Sequence, residues 1–279
     1  MTLREILAET AEKLRPVSGD DANAEARELV SFAIGKRIGF SDKALEFGAE
    51  RRKTLDGLTE RRLRREPLQY IIGEWDLMGL TFRVSPAVLI PRQDTETLCV
   101  TAEELIRKNG YKHLLDLCTG SGCIGLSLAK RTGIGTCLSD ISEEALSVAE
   151  QNAKELGVTA KTVKSDLFSA FADERFDIIT VNPPYIPSAV IDGLAPEVQR
   201  EPRLALDGGE DGLTVYRRLA AEYAEHLSEG GALVMEIGYD QGESVPALFG
   251  ENAEVRLILD DNDKPRVVTV KPNGIKKEC

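Results

Sequence analysis

From His113 onward the chain alternates short apolar runs with helix-forming stretches, and this rhythm restricts the fold more than any other feature of the sequence. His113 to Leu117, the region around Leu138, Thr162 to Lys164, Ile178 to Val181 and Ala232 to Ile237 read as strands. Between them, helical patterns cover Leu126 to Ala129, Glu143 to Leu156 with Gly157 as a stop, and Leu213 to Leu227. Strands separated by helices pair in parallel through crossovers, so the pattern predicts an α/β fold with a mostly parallel sheet. The last two apolar runs, Val255 to Leu259 and Arg266 to Val270, have no helix between them and predict an antiparallel end to that sheet.

The first crossover carries a glycine-rich turn, Cys118-Thr119-Gly120-Ser121-Gly122-Cys123-Ile124-Gly125, between strand and helix. Such a turn is a nucleotide cradle. Gly120, Gly122 and Gly125 satisfy the dinucleotide fingerprint, and Asp140 lies about 20 residues on, where an acid binds a ribose. On these letters NAD and S-adenosyl-L-methionine are hard to separate. Asp116 shifts the balance, because a carboxylate at this strand end repels a pyrophosphate but suits a ligand that carries a sulfonium and an ammonium. Asp140 is placed to take the ribose hydroxyls, and Asp166, ending the next strand, to take the adenine amine. Any one of these acids alone reads equally as a helix cap or turn former. Three in succession at strand ends point to a ligand, since open α/β sheets bind ligands at their carboxyl edge.

A further strand, Phe176 to Val181, stops at Asn182-Pro183-Pro184-Tyr185. Two prolines after an asparagine present carbonyl oxygens without competing N–H donors, which suits a planar NH2 group. The tetrapeptide resembles the acceptor motif of methyltransferases that act on amide or exocyclic amine nitrogens. An ordinary proline-rich turn is the alternative for these letters alone. The connection from Ile186 to Gly212 is long for a compact domain and is expected to wall the acceptor pocket.

A formal net charge of −12, from 35 basic and 47 acidic residues, disfavours a nucleic-acid binder and suits a protein or small-molecule substrate. The five cysteines (Cys99, Cys118, Cys123, Cys137 and Cys279) show no Cys-x-x-Cys spacing, and the two histidines, His113 and His226, lie far apart, so neither a metal site nor a disulfide framework is indicated. Most of the cysteines are expected in the core of a protein of the reducing cytoplasm. No run approaches the ~18 apolar residues of a membrane span, and no targeting segment is read at the N-terminus.

Residues 1–70 look helical throughout. Thr2 and Glu5 suggest a capping box, with helices to Pro16, from Asp21 to Ile34 stopped by Gly35, and from Leu55 to Arg65. Arg51, Arg52, Lys53, Arg61, Arg62, Arg64 and Arg65 form a local basic cluster. It is either a docking face for an acidic partner or ribosomal RNA, or a solvated face offset by neighbouring acids, and the solvated face is preferred. Pro67 to Trp75, Leu80 to Val84 and Val88 to Arg92 suggest a β-hairpin linker. Arg92 and Glu96 either sit over the cofactor mouth or cap the helix that follows.

Taken over nearly its full length, the chain resembles the release factor glutamine methyltransferases, the PrmC or HemK family. The resemblance rests on Tyr70 to Gly73, Leu89 to Arg92 with Asp94 to Glu96, the Asp116 to Gly122 turn, Asn182 to Tyr185, Glu201 to Gly212 and Glu236 to Gly238. It implies a class I S-adenosylmethionine-dependent methyltransferase domain, Rossmann-like with a seven-stranded mostly parallel sheet, over residues 93–279. A helical domain over residues 1–70 and a linker over 71–92 precede it. It implies S-adenosyl-L-methionine as cofactor, giving S-adenosyl-L-homocysteine, with Cys118, Thr119, Gly120, Ser121, Gly122, Asp140, Leu167 and Asn182 on it, beside Asp116 and Asp166 as read above. It implies a protein substrate, the Gly-Gly-Gln glutamine of class I peptide chain release factors, held by Asn182, Pro183, Pro184 and Tyr185. A monomer that binds no nucleic acid directly is expected. Two positions depart from the family pattern: Cys118 replaces a common glycine, and Leu167 an aromatic. The rival reading is an adenine-N6 methyltransferase acting on DNA or RNA, which needs base flipping.

Overall fold

A computed structural model describes residues 2–39, 47–251 and 253–273, which leaves Cys279 outside the described residues. Two compact units emerge: Met1–Glu74 together with Ala195–Arg200, and Trp75–Leu194 together with Glu201–Cys279.

In the first unit, helix α1 (Leu3–Ser18) starts at the expected capping box, in which Glu5 N–H donates to Thr2 Oγ1 (3.3 Å) and Thr2 N–H to the Glu5 carboxylate (2.9 Å). It runs past Pro16, whose missing donor falls in the last turn on an exposed face. Helix α2 (Ala22–Ile34) ends at Gly35, left-handed at φ +73°, and helix α3 (Ala49–Leu63) begins well ahead of the expected Leu55. Of the apolar positions that set the helical spacing, Leu3, Ile6, Leu14, Leu29, Val30 and Leu55 are buried, while Leu7, Ala33 and Ile34 are half-buried. The basic cluster of α3 is largely neutralised inside this unit. Arg52 pairs with Glu9 and Asp56, Arg61 with Glu66, and buried Arg62 holds Glu25 (2.8 Å) and Glu197 (2.7 Å). Leu68 to Ile72, expected as strand, is a short helix, α4 (Leu68–Ile72), because Pro67 opens it, Leu68 and Ile71 face the core together, and Gly73 closes it at φ +83°.

In the second unit the hairpin is confined to β1 (Glu74–Leu77) and β2 (Leu80–Arg83), and Val88 to Arg92 forms no strand. Met78 and Gly79 both take positive φ, as a two-residue hairpin turn demands. The main sheet comprises β3 (His113–Leu117), β4 (Gly135–Asp140), β5 (Ala160–Lys164), β6 (Phe176–Val181), β7 (Leu227–Glu236), β8 (Ala253–Leu259) and β9 (Pro265–Pro272). Its order is β5-β4-β3-β6-β7-β9-β8, parallel through β7 and antiparallel at the end, with β9 inserted between β7 and β8. Pleat alternation sorts side chains into two apolar layers. Leu114, Leu138, Ile178 and Val234 meet helices α5 (Thr95–Asn109), α6 (Cys123–Thr132) and α7 (Glu143–Leu156), while Leu115, Ile179, Leu233 and Met235 meet Tyr216 and Leu219 of α9 (Thr214–Glu222).

Asp116 is fully buried at the centre of this sheet. Its Oδ2 accepts from Thr119 Oγ1 (2.5 Å) and from the Gly125 N–H (3.1 Å), and its Oδ1 accepts from Thr180 Oγ1 (2.7 Å). One carboxylate therefore joins β3, the glycine-rich turn, the first turn of α6 and β6. Burial still outweighs these bonds and lifts its pKa from the ordinary 3.8 to about 6. Gly125 lets α6 approach, since a Cβ there would stand 2.5 Å from Leu138 Cδ2 and 3.0 Å from Asp116 Cβ.

Gly125→Ala is expected to lower stability by about 1–3 kcal/mol through overpacking, read as a shifted urea midpoint. Asp116→Asn tests the charge. Because the fold favours protonated Asp116, ionisation removes stability as pH rises from the ordinary value of 3.8 to about 6, by roughly 3 kcal/mol when complete. The isosteric amide still accepts from Gly125 and lets the Thr180 hydroxyl turn round to accept. The wild type should thus lose melting temperature relative to Asp116→Asn across that window. A difference that stays constant with pH would show that Asp116 does not titrate in the fold.

Candidate cofactor and acceptor site

The carboxyl ends of β3, β4 and β6, where the strand order reverses, open onto a cavity of about 450 Å³. The glycine-rich turn forms its floor. Thr119 N–H is tied to the Ser139 carbonyl (3.0 Å), and Gly122 N–H to the Thr119 carbonyl (2.8 Å). The path is left-handed at Cys118 (φ +52°), Gly120 (φ +55°) and Gly122 (φ +81°). A side chain on Gly122 would be strained at this φ and crowded, its Cβ standing 2.9 Å from Leu126 Cδ1 and 3.2 Å from Ala149 Cβ. Asn152 of α7, buried, fixes the turn from behind by donating to the Ser121 carbonyl (2.8 Å) while it exchanges bonds with the backbone of Arg83.

Asp140 ends β4 in the cavity wall. One of its oxygens accepts from Gly120 N–H (2.9 Å) and the other from Ser142 N–H (3.0 Å), and burial raises its pKa. Asp166 lines the same cavity and pairs with Arg218 of α9 (2.9 Å). Leu167, next to it, is buried and held at φ +50°, its carbonyl accepting from Ser165 Oγ (2.7 Å). The hydroxyls of Ser121 and Ser139, both in the wall, are buried without partners.

Asn182 and Pro184 line the same cavity, directly after β6. The tetrapeptide backbone is clasped from outside. Buried Gln241 donates to the Tyr185 carbonyl (3.2 Å) and the Gly212 carbonyl (3.2 Å) and accepts from the Gly238 N–H (2.9 Å). Ile186 pairs with Asp207, and glycines are needed beside Tyr185, since a Cβ on Gly208 would stand 2.7 Å from its Cα. Pro202, Leu204, Ala205 and Asp207 line the cavity, so part of the long connection does form its wall.

The structure thus brings Cys118, Thr119, Gly120, Ser121, Asp140, Asp166, Leu167, Asn182 and Pro184 to one cavity. Asp116, Gly122, Pro183 and Tyr185 are not in its lining. The direct cation contact expected of Asp116 is replaced by a role inside the turn, because all three of its partners lie on the protein side. Of the two open residues, Arg92 lines the cavity and pairs with buried Glu201, whose other oxygen accepts from Ile90 N–H (2.9 Å). Glu96 turns away to accept from Met78 N–H (2.7 Å). Arg218 and Gln241 were not legible as site residues, each acting across a long stretch of chain, whereas Glu201 fell in a segment that carries the resemblance but was given no role of its own. Ser142 carried a local signal, a helix N-cap ahead of two acids, and it does cap α7 through Ala145 N–H (3.2 Å).

The donor set fits a cationic nucleoside better than a dinucleotide. Both arginines in the wall are paired with carboxylates, and Asp140 and Asp166 offer polar contacts for a ribose and an adenine. Among the described residues no cluster of His, Cys, Asp and Glu is arranged to hold a metal, and no helix is long and apolar enough to cross a membrane.

Comparison with known proteins agrees with this geometry. The family model described as "PrmC N-terminal domain" matches residues 5–73, and "Methyltransferase small domain" matches residues 96–197. A release factor glutamine methyltransferase of Geobacter sulfurreducens is 41% identical over 96% of this chain and 95% of its own. One of Caulobacter vibrioides is 40% identical over 96% of each. A methyltransferase from Pyrococcus furiosus shares the fold, with a TM-score of 0.52, 15% identity and coverage of 80% of this chain and 99% of its own. The S-adenosylmethionine-type cradle, the acceptor tetrapeptide and the full-length match lead to one statement of kinship: this chain belongs to the release factor glutamine methyltransferase family.

Proposed function

We propose that this protein transfers a methyl group from S-adenosyl-L-methionine to the side-chain amide nitrogen of the Gly-Gly-Gln glutamine in class I peptide chain release factors, acting as a cytoplasmic monomer. The observation that carries the reading is Asn182, half-buried in the wall of the cavity that the glycine-rich turn floors, with its backbone neighbours clamped by Gln241. Bound in that cavity, the cofactor supplies an electrophilic methyl carbon on a sulfonium.

The residues of the chain then have an orientation problem to solve. An amide nitrogen is a poor nucleophile because its lone pair is delocalised into the carbonyl. Asn182 Oδ1 and the Pro183 carbonyl accept the two N–H bonds of the glutamine side chain and aim its lone pair into the cavity. Proline supplies no competing donor at either of the next two positions. Tyr185 packs on the amide face, its phenol kept neutral by burial. Orientation of this kind is worth up to roughly 7–11 kcal/mol in ideal cases. The same two oxygens strengthen their hold as positive charge grows on the nitrogen. Asp140, Asp166, Leu167 and the Cys118 to Ser121 turn hold the nucleoside, and Asp116 shapes that turn.

The protein-substrate reading is also supported over the nucleic-acid rival by the net charge of −12. Asn182→Ala is expected to reduce methylation of a purified release factor by about 10²–10³-fold, on the scale of losing one polarising contact. Its circular dichroism spectrum should stay that of the wild type. Labelled methyl donor should mark the release factor and leave DNA and RNA unmarked. Near-normal turnover by Asn182→Ala, or label on nucleic acid, would overturn the proposal.

A further inference from the structure

Glu236 is the last residue of β7, and Asn182 follows the last residue of β6. These strands run parallel with Val181 opposite Met235, so the next pair, Asn182 and Glu236, stands side by side at the carboxyl edge. Val181 and Met235 both bury into the layer under α9. The pleat therefore turns Asn182 and Glu236 together toward the opposite face, where Thr95 opens α5. There the Glu236 side chain is only 1% exposed. The side chains of Asn182 and Thr95 lie close enough to favour its charged form, and one oxygen, Oε2, has no hydrogen-bond partner. Its backbone is pinned as well, the carbonyl accepting from the buried Tyr216 hydroxyl (2.8 Å).

A buried charge with a spare lone pair needs a reason, and the chemistry of its neighbour gives one. An asparagine amide is ambiguous, with a donor on one atom and an acceptor on the other, whereas a carboxylate only accepts. Held beside Glu236, Asn182 presents its Nδ2 to the carboxylate, which leaves Oδ1 for the cavity. We infer that Glu236 is a positioning residue: it fixes the side-chain amide of Asn182 so that the carbonyl oxygen, and not the NH2, meets the methyl-accepting amide. The inference rests on the acceptor role proposed above for Asn182. With the amide turned over, donor would face donor and the substrate nitrogen would lose its guide.

Ionisation of Glu236 then governs the rate. Burial pushes its pKa up to about 7, with Arg266 favouring the charged form and Asp94 opposing it. A protonated Glu236 can donate to Asn182 Oδ1 and so tolerates the wrong orientation. The deprotonated form is the active one, and kcat rises as pH increases through about 7. Tyr185 and Tyr216 stay neutral around this point, as do Cys99 of α5 and Cys123 of α6, all raised by burial, while Asp116 and Asp140 are carboxylates raised by burial as well, so the Glu236→Gln profile is what separates the titration of Glu236 from theirs.

The experiment is a pH series of kcat and KM for the full-length protein with a release factor substrate, on wild type, Glu236→Gln and Glu236→Asp. Wild-type kcat should climb through neutral pH and level off. Glu236→Gln, able to donate or accept, should lose up to about 10²-fold in kcat, the scale of a misaligned reactive group. It should also lose the climb, with KM for S-adenosyl-L-methionine little changed. Glu236→Asp, acceptor-only again, should recover part of the rate and a pH-dependent limb. A Glu236→Gln variant with wild-type kcat and profile overturns the inference, and so does a wild-type kcat that is flat through neutral pH, which decides the matter even if the variants do not fold. An inactive Asn182→Ala alongside a fully active Glu236→Gln would sink only the positioning role. An active Asn182→Ala would sink the acceptor role beneath it.

Discussion

The carboxylate of Asp116 is withdrawn from water altogether, and the architecture of the site follows from where its bonds go. It accepts from Thr119, Gly125 and Thr180, which belong to a turn, a helix start and a neighbouring strand. Three donors from three elements converge on one group only when β3 and β6 are paired in register and α6 lies close against them. That closeness in turn depends on Gly125. The turn held in this way can then run left-handed at Cys118, Gly120 and Gly122 and keep the floor of the cavity open.

The fold was legible wherever its cause was local. Strand and helix periodicity gave the parallel sheet, the capping pair Thr2 and Glu5 gave the start of α1, and Gly35 and Gly157 gave helix stops at their left-handed caps. The misreading of α4 was also local in origin, because five residues of Leu, Gln, Tyr and Ile fit a strand as readily as one helical turn and a half, and the deciding constraint was burial of Leu68 with Ile71. In the site, the turn, Asp140 and Asn182 could be found from their place after a strand. The direction in which Asp116 faces could not, since an acid at a strand end is the same letter whether its donors come from a ligand or from Thr180, 64 residues away. Arg218 and Gln241 were hidden for the same reason, and Glu236, though part of a stretch that carries the resemblance, gave no sign there of its place beside Asn182.

Cys118 and Leu167, the two positions that depart from the family pattern, share a property. Each bears a side chain at positive φ, +52° and +50°, and each lies in the cavity wall. An L-residue in that conformation costs roughly 1–2 kcal/mol. Leu167 is held there by burial and by the bond from Ser165 to its carbonyl, while Cys118 is only half-buried. Two of the five non-glycine residues at positive φ among the described residues thus stand in the cavity wall, the others being Arg65, Met78 and Asp263.

The helical unit includes Ala195–Arg200, contributed from far downstream. Arg62 meets Glu25 within the first stretch of chain, but its second carboxylate, Glu197, arrives 135 residues later. During synthesis at about 5–20 residues per second, the nascent helices would carry a half-compensated guanidinium for many seconds. The amino-terminal bundle therefore reaches its final form only after the first four strands of the main sheet, β3 to β6, have left the ribosome.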